Sequence, residues 1–309
     1  MRYGLPYKGS KNAIAEWVVD NLPRAETFVD LFCGGGAITH RAMLTGKYKR
    51  FIMNDIDGRL PKLFKECALG KHTIENHREW VSREEFQRRK SDDAYIALVW
   101  SFGNNGVDYI YGAEIEPFKH DYHRAVFENK PELLKKWGYD IKSKDIKDIY
   151  ERYLCFNSQI KQVARSDLDS ITRQIEIERL QSLQSLQSLQ SLQSLQSDYS
   201  EIDIPQDALI YCDIPYKDTN CGKYGDFDHE RFYKWAEQQK NIYISEYDMP
   251  SNFIKIAEIE KTVLSASNSN SQKAVERIFT NERTFEQLNA DQKQIYLSQT
   301  AKQLTFWEV

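Results

Sequence analysis

The chain has 309 residues, 41% of them hydrophobic, which is enough to bury a full core as one domain plus an insertion. Its formal net charge of −4 excludes a global positive field, so a nucleic-acid partner would have to be met by a local basic patch. Five cysteines without a Cys-x-x-Cys pair, no apolar signal segment and no apolar run of membrane length lead us to expect a reduced, cytoplasmic protein that does not enter a membrane.

The N-terminal stretch Tyr7-Lys-Gly-Ser-Lys11 reads as a glycine-containing loop, with Ser10 capping a helix whose apolar face is Ile14, Trp17, Val18 and Leu22. Thr27–Phe32 has the composition of a buried strand and runs into Cys33-Gly34-Gly35-Gly36. A helix from about Ala37 to Thr45 follows, with Gly46 at an expected left-handed C-cap, and then a second strand, Arg50–Asp55. Strand, glycine turn, helix and strand make a nucleotide-binding half-fold. Asp55, nineteen positions beyond Gly36, is placed to accept hydrogen bonds from ribose hydroxyls. A dinucleotide site would want Gly-x-Gly-x-x-Gly, and Thr39 stands at its third glycine position. Asp30, inside the first strand, is either a partner for the glycine turn or a cofactor contact.

From about Gly58 to Arg179 charged and aromatic residues mix, with helical patterns near Arg83–Lys90, Asp92–Phe102, Pro131–Trp137 and Ile146–Tyr153. The Gly/Asn-dense segment Ser101–Gly112 is an ordinary surface loop or, in a nucleic-acid enzyme, the place for side chains such as Asn104 and Asn105 to read base edges. Basic and acidic residues nearly balance here, so any DNA-facing surface must come from segregating charge. His120-Asp-Tyr-His123 lacks a neighbouring third ligand, and no metal is expected. Leu-Gln-Ser then repeats six times, from Leu180 to Ser197. A three-residue period advances about 300° per step in an α-helix, so its leucines form no stripe, and long 3₁₀ runs are disfavoured. The tract is expected to be a helix or spacer of low information.

Ala208-Leu-Ile-Tyr-Cys-Asp213-Ile-Pro-Tyr216 begins as a buried strand and ends in a carboxylate, a proline and an aromatic ring, with Lys217-Asp218-Thr219 as a turn behind it. Asp213 therefore falls at the carboxyl end of a central strand, where open α/β sheets hold ligands. Alone, the segment is equally a strand ending in an Asx-Pro turn. Asp228–Lys240 reads as a helix, Asn241–Tyr247 as a strand, Thr262–Ala266 as a further short strand and Ser265–Ser271 as a loop.

Ala208–Tyr216 resembles motif IV of the amino-methyltransferases, Asp-Pro-Pro-Tyr, with Ile214 in place of the first proline. With Tyr7–Lys11, Phe28–Gly36 and Asp55 as motifs X, I and II, the chain resembles the Dam-like adenine-N6 DNA methyltransferases. That resemblance implies a doubly wound, Rossmann-like α/β sheet with an inserted, mainly helical target-recognition domain. The catalytic domain would be 1–57 and 195–309, the insert 58–179 and the repeat 180–197. It implies S-adenosylmethionine as cofactor, without a metal, held at Tyr7, Lys11, Asp30, Phe32, Gly34, Gly36, Asp55 and Asp213, with Asp198 and Tyr199 near its adenine. Asp213, Ile214, Pro215 and Tyr216 would be catalytic, and double-stranded DNA the partner, with no obligate protein partner. The chemistry suits these types. A carboxylate and a backbone carbonyl can accept from the adenine N6 hydrogens, and Tyr216 can stack on an extruded base. Two rivals are a methyltransferase acting on RNA or a protein amide, which usually has Asn at the Asp213 position, and a DNA-binding relative that has lost activity. No Pro-Cys dipeptide is present, which argues against a cytosine-C5 enzyme.

Overall fold

The computed structural model describes residues 2–142, 146–160, 169–217, 227–264, 271–290, 292–294 and 296. Along the chain lie α1 (Ala15–Asp20), β1 (Thr27–Asp30), α2 (Ala37–Thr45) and β2 (Arg50–Asn54). Six helices follow: α3 (Arg59–Ala68), α4 (Arg83–Arg89), α5 (Ala94–Val99), α6 (Glu116–Glu128), α7 (Ile149–Gln159) and α8 (Ser170–Glu178). Then come β3 (Leu192–Leu195), β4 (Ala208–Asp213), α9 (His229–Gln238), β5 (Ile242–Glu246), β6 (Phe253–Leu264), β7 (Ser271–Asn281) and α10 (Glu282–Gln287). Two compact units emerge. A helical unit comprises Met1–Ala13, Gly34–Ala37 and Arg59–Leu189; a sheet unit comprises Ile14–Cys33, Ile38–Gly58 and Gln190–Val309.

The sheet unit is a mixed seven-stranded sheet with flanking helices, in the order β3-β2-β1-β4-β5-β7-β6. The first five strands are parallel, and β7 runs antiparallel to both β5 and β6. Strand order reverses between β1 and β4, the topological switch point outside which α/β sheets hold their ligands. Strand alternation sorts the two faces. One carries Val29, Leu31, Ile52, Ile210, Cys212, Ile242 and Ile244 in a cluster closed by Phe232, Tyr233 and Ala236 of α9. The other carries Phe28, Asp30, Tyr211, Asp213, Tyr243 and Ser245, in the register Asp30↔Tyr211 and Asp213↔Ser245. Its polar residues gather at the carboxyl ends of the strands.

The Leu-Gln-Ser tract corrects the sequence expectation. It is neither a uniform helix nor a spacer: it forms two short 3₁₀ segments, Arg179–Ser185 and Gln187–Ser191, and then becomes the edge strand β3. In the 3₁₀ segments a three-residue period keeps every leucine on one side, and Leu180, Leu183 and Leu189 are buried. A break at Leu186, which is extended, keeps each run short. β3 pairs in parallel with β2, and Asn54 locks it in place: its Nδ2 donates to Ser197 O at 3.1 Å and its Oδ1 accepts from Ser197 N at 3.0 Å.

Other boundaries also move. The N-terminal helix splits into a 3₁₀ turn at Lys11–Ile14 and the short α1. The Thr262–Ala266 expectation falls on the end of the longer β6, while residues 265–270 and 218–226 lie outside the described set. In the helical unit, Pro131–Trp137 is a 3₁₀ segment, and α3, α6 and α8 had no counterpart in the pattern. α6 was obscured because it buries Lys119, Asp121 and His123 beside Phe118, Tyr122 and Val126. These side chains find partners on other segments: Lys119 lies 3.8 Å from Asp169, Asp121 accepts from Trp137 Nε1 at 2.7 Å, and His123 Nε2 donates to Arg78 O at 2.8 Å, while His123 Nδ1 has no partner among the described residues. A helix that satisfies its polar residues internally shows no clean apolar stripe. Among the described residues no helix is long and apolar enough to cross a membrane.

Candidate active site

β1 leads into the glycine turn at the switch point. Leu31 N donates to Tyr211 O at 3.1 Å, and Cys33 N to Asn54 O at 2.9 Å, so the turn starts from a fixed frame. Gly34 and Gly36 have φ of +47° and +71°, a region that favours glycine. Within the helical unit, Leu5 N donates to Gly35 O at 2.7 Å, and a Cβ on Gly35 would lie 2.8 Å from Tyr7 Cβ. A Cβ on Gly34 would lie 3.2 Å from the Tyr7 ring. The Tyr7–Lys11 loop thus packs on the glycine turn, and Lys11 itself is buried.

In the sheet unit, three carboxylates act on one another. Asp30 is 1% exposed; its Oδ2 accepts from Thr39 Oγ1 at 2.7 Å, while its buried Oδ1 has no partner among the described residues. Burial pushes its pKa up to about 7; the Thr39 hydroxyl opposes this, and the charges of Asp213 and Asp55 add to it. Asp55, just past β2, is buried, and its Oδ1 accepts from Asp57 N at 2.9 Å. Asp213 ends β4 half-buried. Mutually repelling carboxylates, one with an orphaned oxygen, suit a cationic ligand. The sequence left Asp30 open between turn partner and ligand contact; one oxygen is bonded to Thr39 at the start of α2 and the other is unpartnered among the described residues.

The segment after Asp213 is tied down on all sides. Ile214 is 2% exposed, and its side chain sits in the apolar cluster. Pro215 O accepts from His229 Nε2 at 2.8 Å, Tyr211 and Ser245 share a hydroxyl hydrogen bond at 2.7 Å, and Lys217 N donates to Glu246 Oε1 at 2.8 Å. The Tyr216 hydroxyl donates to Glu276 Oε2 at 2.6 Å, and its ring meets Tyr247 edge-on at 4.4 Å.

Three other expected site positions turn out to be engaged in the fold. Asp198 caps the turn Tyr199–Glu201 and receives Arg231 in a two-pronged pair at 2.8 and 3.0 Å, which holds its carboxyl below the ordinary range despite partial burial. Tyr199 lies in the core against Phe32, Phe232 and Trp235, with Arg231 over its ring. Phe32 is half-buried in the same aromatic group, 5.7 Å from Phe227.

In the helical unit the Ser101–Gly112 loop uses its asparagines on nearby backbone and side chains. Asn104 turns inward to donate to Leu98 O at 2.9 Å. Asn105 Nδ2 donates to Asp108 Oδ2 at 2.9 Å, and its Oδ1 accepts from Val107 N and Asp108 N. Both amides build the loop. The exposed large side chains there are Phe102 and Val107, more than half exposed, which attention to Gly and Asn passed over. The available signal was an apolar residue on each flank of a glycine-rich turn.

The model of the D12 class N6 adenine-specific DNA methyltransferases matches residues 7–286. No curated protein matches the chain significantly.

Proposed function

We propose, from the premise that the chain belongs to the D12 class N6 adenine-specific DNA methyltransferase family, that Asp213 is the residue on which its chemistry turns and that it works on duplex DNA at a short fixed site, as a Dam-like member with an Asp-Ile-Pro-Tyr motif. As a family member it is an enzyme that transfers methyl from S-adenosylmethionine to N6 of adenine in DNA. The observation that carries the finer assignment is the buried Asp30 with its orphaned oxygen, influenced by Asp213 and Asp55 at the switch point. S-adenosylmethionine, when bound, supplies a methyl group on a sulfonium and also bears an ammonium, so an anionic cluster fits it.

Asp213 and the carbonyl of Ile214 accept the two N6 hydrogens and localise the nitrogen lone pair for in-line attack. Tyr216 offers its face to the extruded adenine. Asp55 would hold the cofactor by accepting from its ribose hydroxyls. Tyr7, Lys11, Gly34 and Gly36 are assigned to the cofactor by their motifs. Asp198, saturated by Arg231, acts by shaping the aromatic wall, and Tyr199 lies in that wall with its buried hydroxyl unpartnered among the described residues. In the helical unit, duplex contact runs through exposed basic side chains on phosphates and through Phe102 and Val107, an apolar pair suited to entering a base stack.

The test is labelled-methyl transfer to duplex DNA and to tRNA, with modification-sensitive sequencing of a host genome lacking adenine methylation. A shared short motif of N6-methyladenine is expected. Methylation of tRNA alone, or scattered adenine methylation without a motif, would overturn the duplex-site assignment.

A further inference from the structure

We infer that Glu276, on β7, is a positioning residue for methyl transfer that acts through the hydroxyl of Tyr216. The inference rests on the stacking role given to Tyr216 above. β7 alternates, and Glu276 shares a face with Ile278 and Thr280, both fully buried, where an apolar side chain would ordinarily sit. Glu276 is itself 1% exposed. A buried carboxylate is costly unless hydrogen-bonded, and one donor to Glu276 is the Tyr216 hydroxyl at 2.6 Å. Burial pushes the Tyr216 phenol well above its ordinary range, with Asp213 and Glu276 adding to the effect, so the hydroxyl stays a donor at neutral pH.

The rest of the clamp comes from β5. Glu246, also buried, accepts from Lys217 N at 2.8 Å and Tyr247 N at 2.6 Å, which binds the exit of motif IV to the exit of β5. Tyr247 braces the Tyr216 ring edge-on, and Arg277, the neighbour of Glu276, donates to Tyr247 O. A phenol ring has two free torsions. The hydroxyl anchor fixes where the ring axis points, and the edge-on contact with Tyr247 restrains rotation about that axis, so the two together set the plane on which the base must stack.

Steady-state kinetics on duplex DNA with full-length protein provide the test. Glu276→Leu should lower kcat by roughly tenfold or more, with cofactor KM unchanged, because a charge-assisted hydrogen bond is lost. Glu276→Gln, which keeps an acceptor, should stay within about threefold of the parent. Tyr216→Phe should fall about as far as Glu276→Leu, and the double variant no further than either single one. If the two losses instead multiply, or Gln damages kcat as much as Leu, the inference is overturned. If Glu276→Leu does not fold, Tyr216→Phe with an undiminished kcat would sink it on its own. A Tyr216→Ala variant separates the two levels: full activity there removes the stacking role itself, whereas loss in Ala with none in Phe removes only Glu276.

Discussion

The carboxyl edge of the sheet and the Ser101–Gly112 loop employ polar side chains in opposite ways. At the sheet edge, Asp30 keeps a buried oxygen unpartnered and Asp213 stays half exposed. In the loop, Asn104 and Asn105 spend their amides on the backbone and leave Phe102 and Val107 outside. A small charged ligand can be gripped by carboxylates held on rigid strands. A loop held in one shape needs its own amides to stay stiff.

The contrast can be broken at its strongest point first. Asp213→Ala should lower methyl transfer by about a hundredfold to a thousandfold, the scale of removing an acceptor aimed at developing charge, with an unchanged thermal melt. Substantial activity in a folded variant would mean the sheet edge is not the reacting end. Next, Phe102→Ala should weaken binding to cognate duplex by roughly tenfold, the value of one lost stacking contact. Asn105→Ala should weaken it by less, about threefold, through a looser loop and without changing which sites are methylated. Relaxed site preference in Asn105→Ala, scored by sequencing, would show that the amide reads bases after all.

The subtlest effect is in pH. Asp30 has a folded pKa raised from 3.8 to about 7, so the folded protein holds a proton there that the unfolded chain releases. The cofactor-free protein should therefore lose stability as pH rises from about 4 through about 7. Affinity for a cationic cofactor should move the other way, tightening roughly tenfold from pH 6 to pH 8 as Asp30 ionises. Calorimetry on Asp30→Asn should show both slopes flattened; an unaltered pH profile would release Asp30 from the cofactor.

Much of the sheet edge was legible in the sequence. Thr27–Phe32, the three glycines, Asp55 and Asp213 announce themselves within a few residues, because β propensity, positive φ and a proline-bounded strand end are local constraints. The same local signals located α2 and its Gly46 cap, whose φ is +63°. The loop was legible as a loop but not in its use of side chains, since the sequence cannot say whether an asparagine faces out or caps the turn beneath it.

Composition and local pattern thus determined that a glycine turn and an Asp-Ile-Pro-Tyr segment end two buried strands, each with a carboxylate at hand. Tertiary structure alone decided the rest. A Leu-Gln-Ser window looks the same after any three-residue shift, so which triplet becomes β3 is settled by Asn54, 143 residues away, holding Ser197. Glu276 looks like one more strand acid until β7 folds back beside β5 and brings it to Tyr216 across 60 residues. Backbone preference is written in neighbours; the partner of a buried polar group is not, because only the folded sheet brings the two into contact.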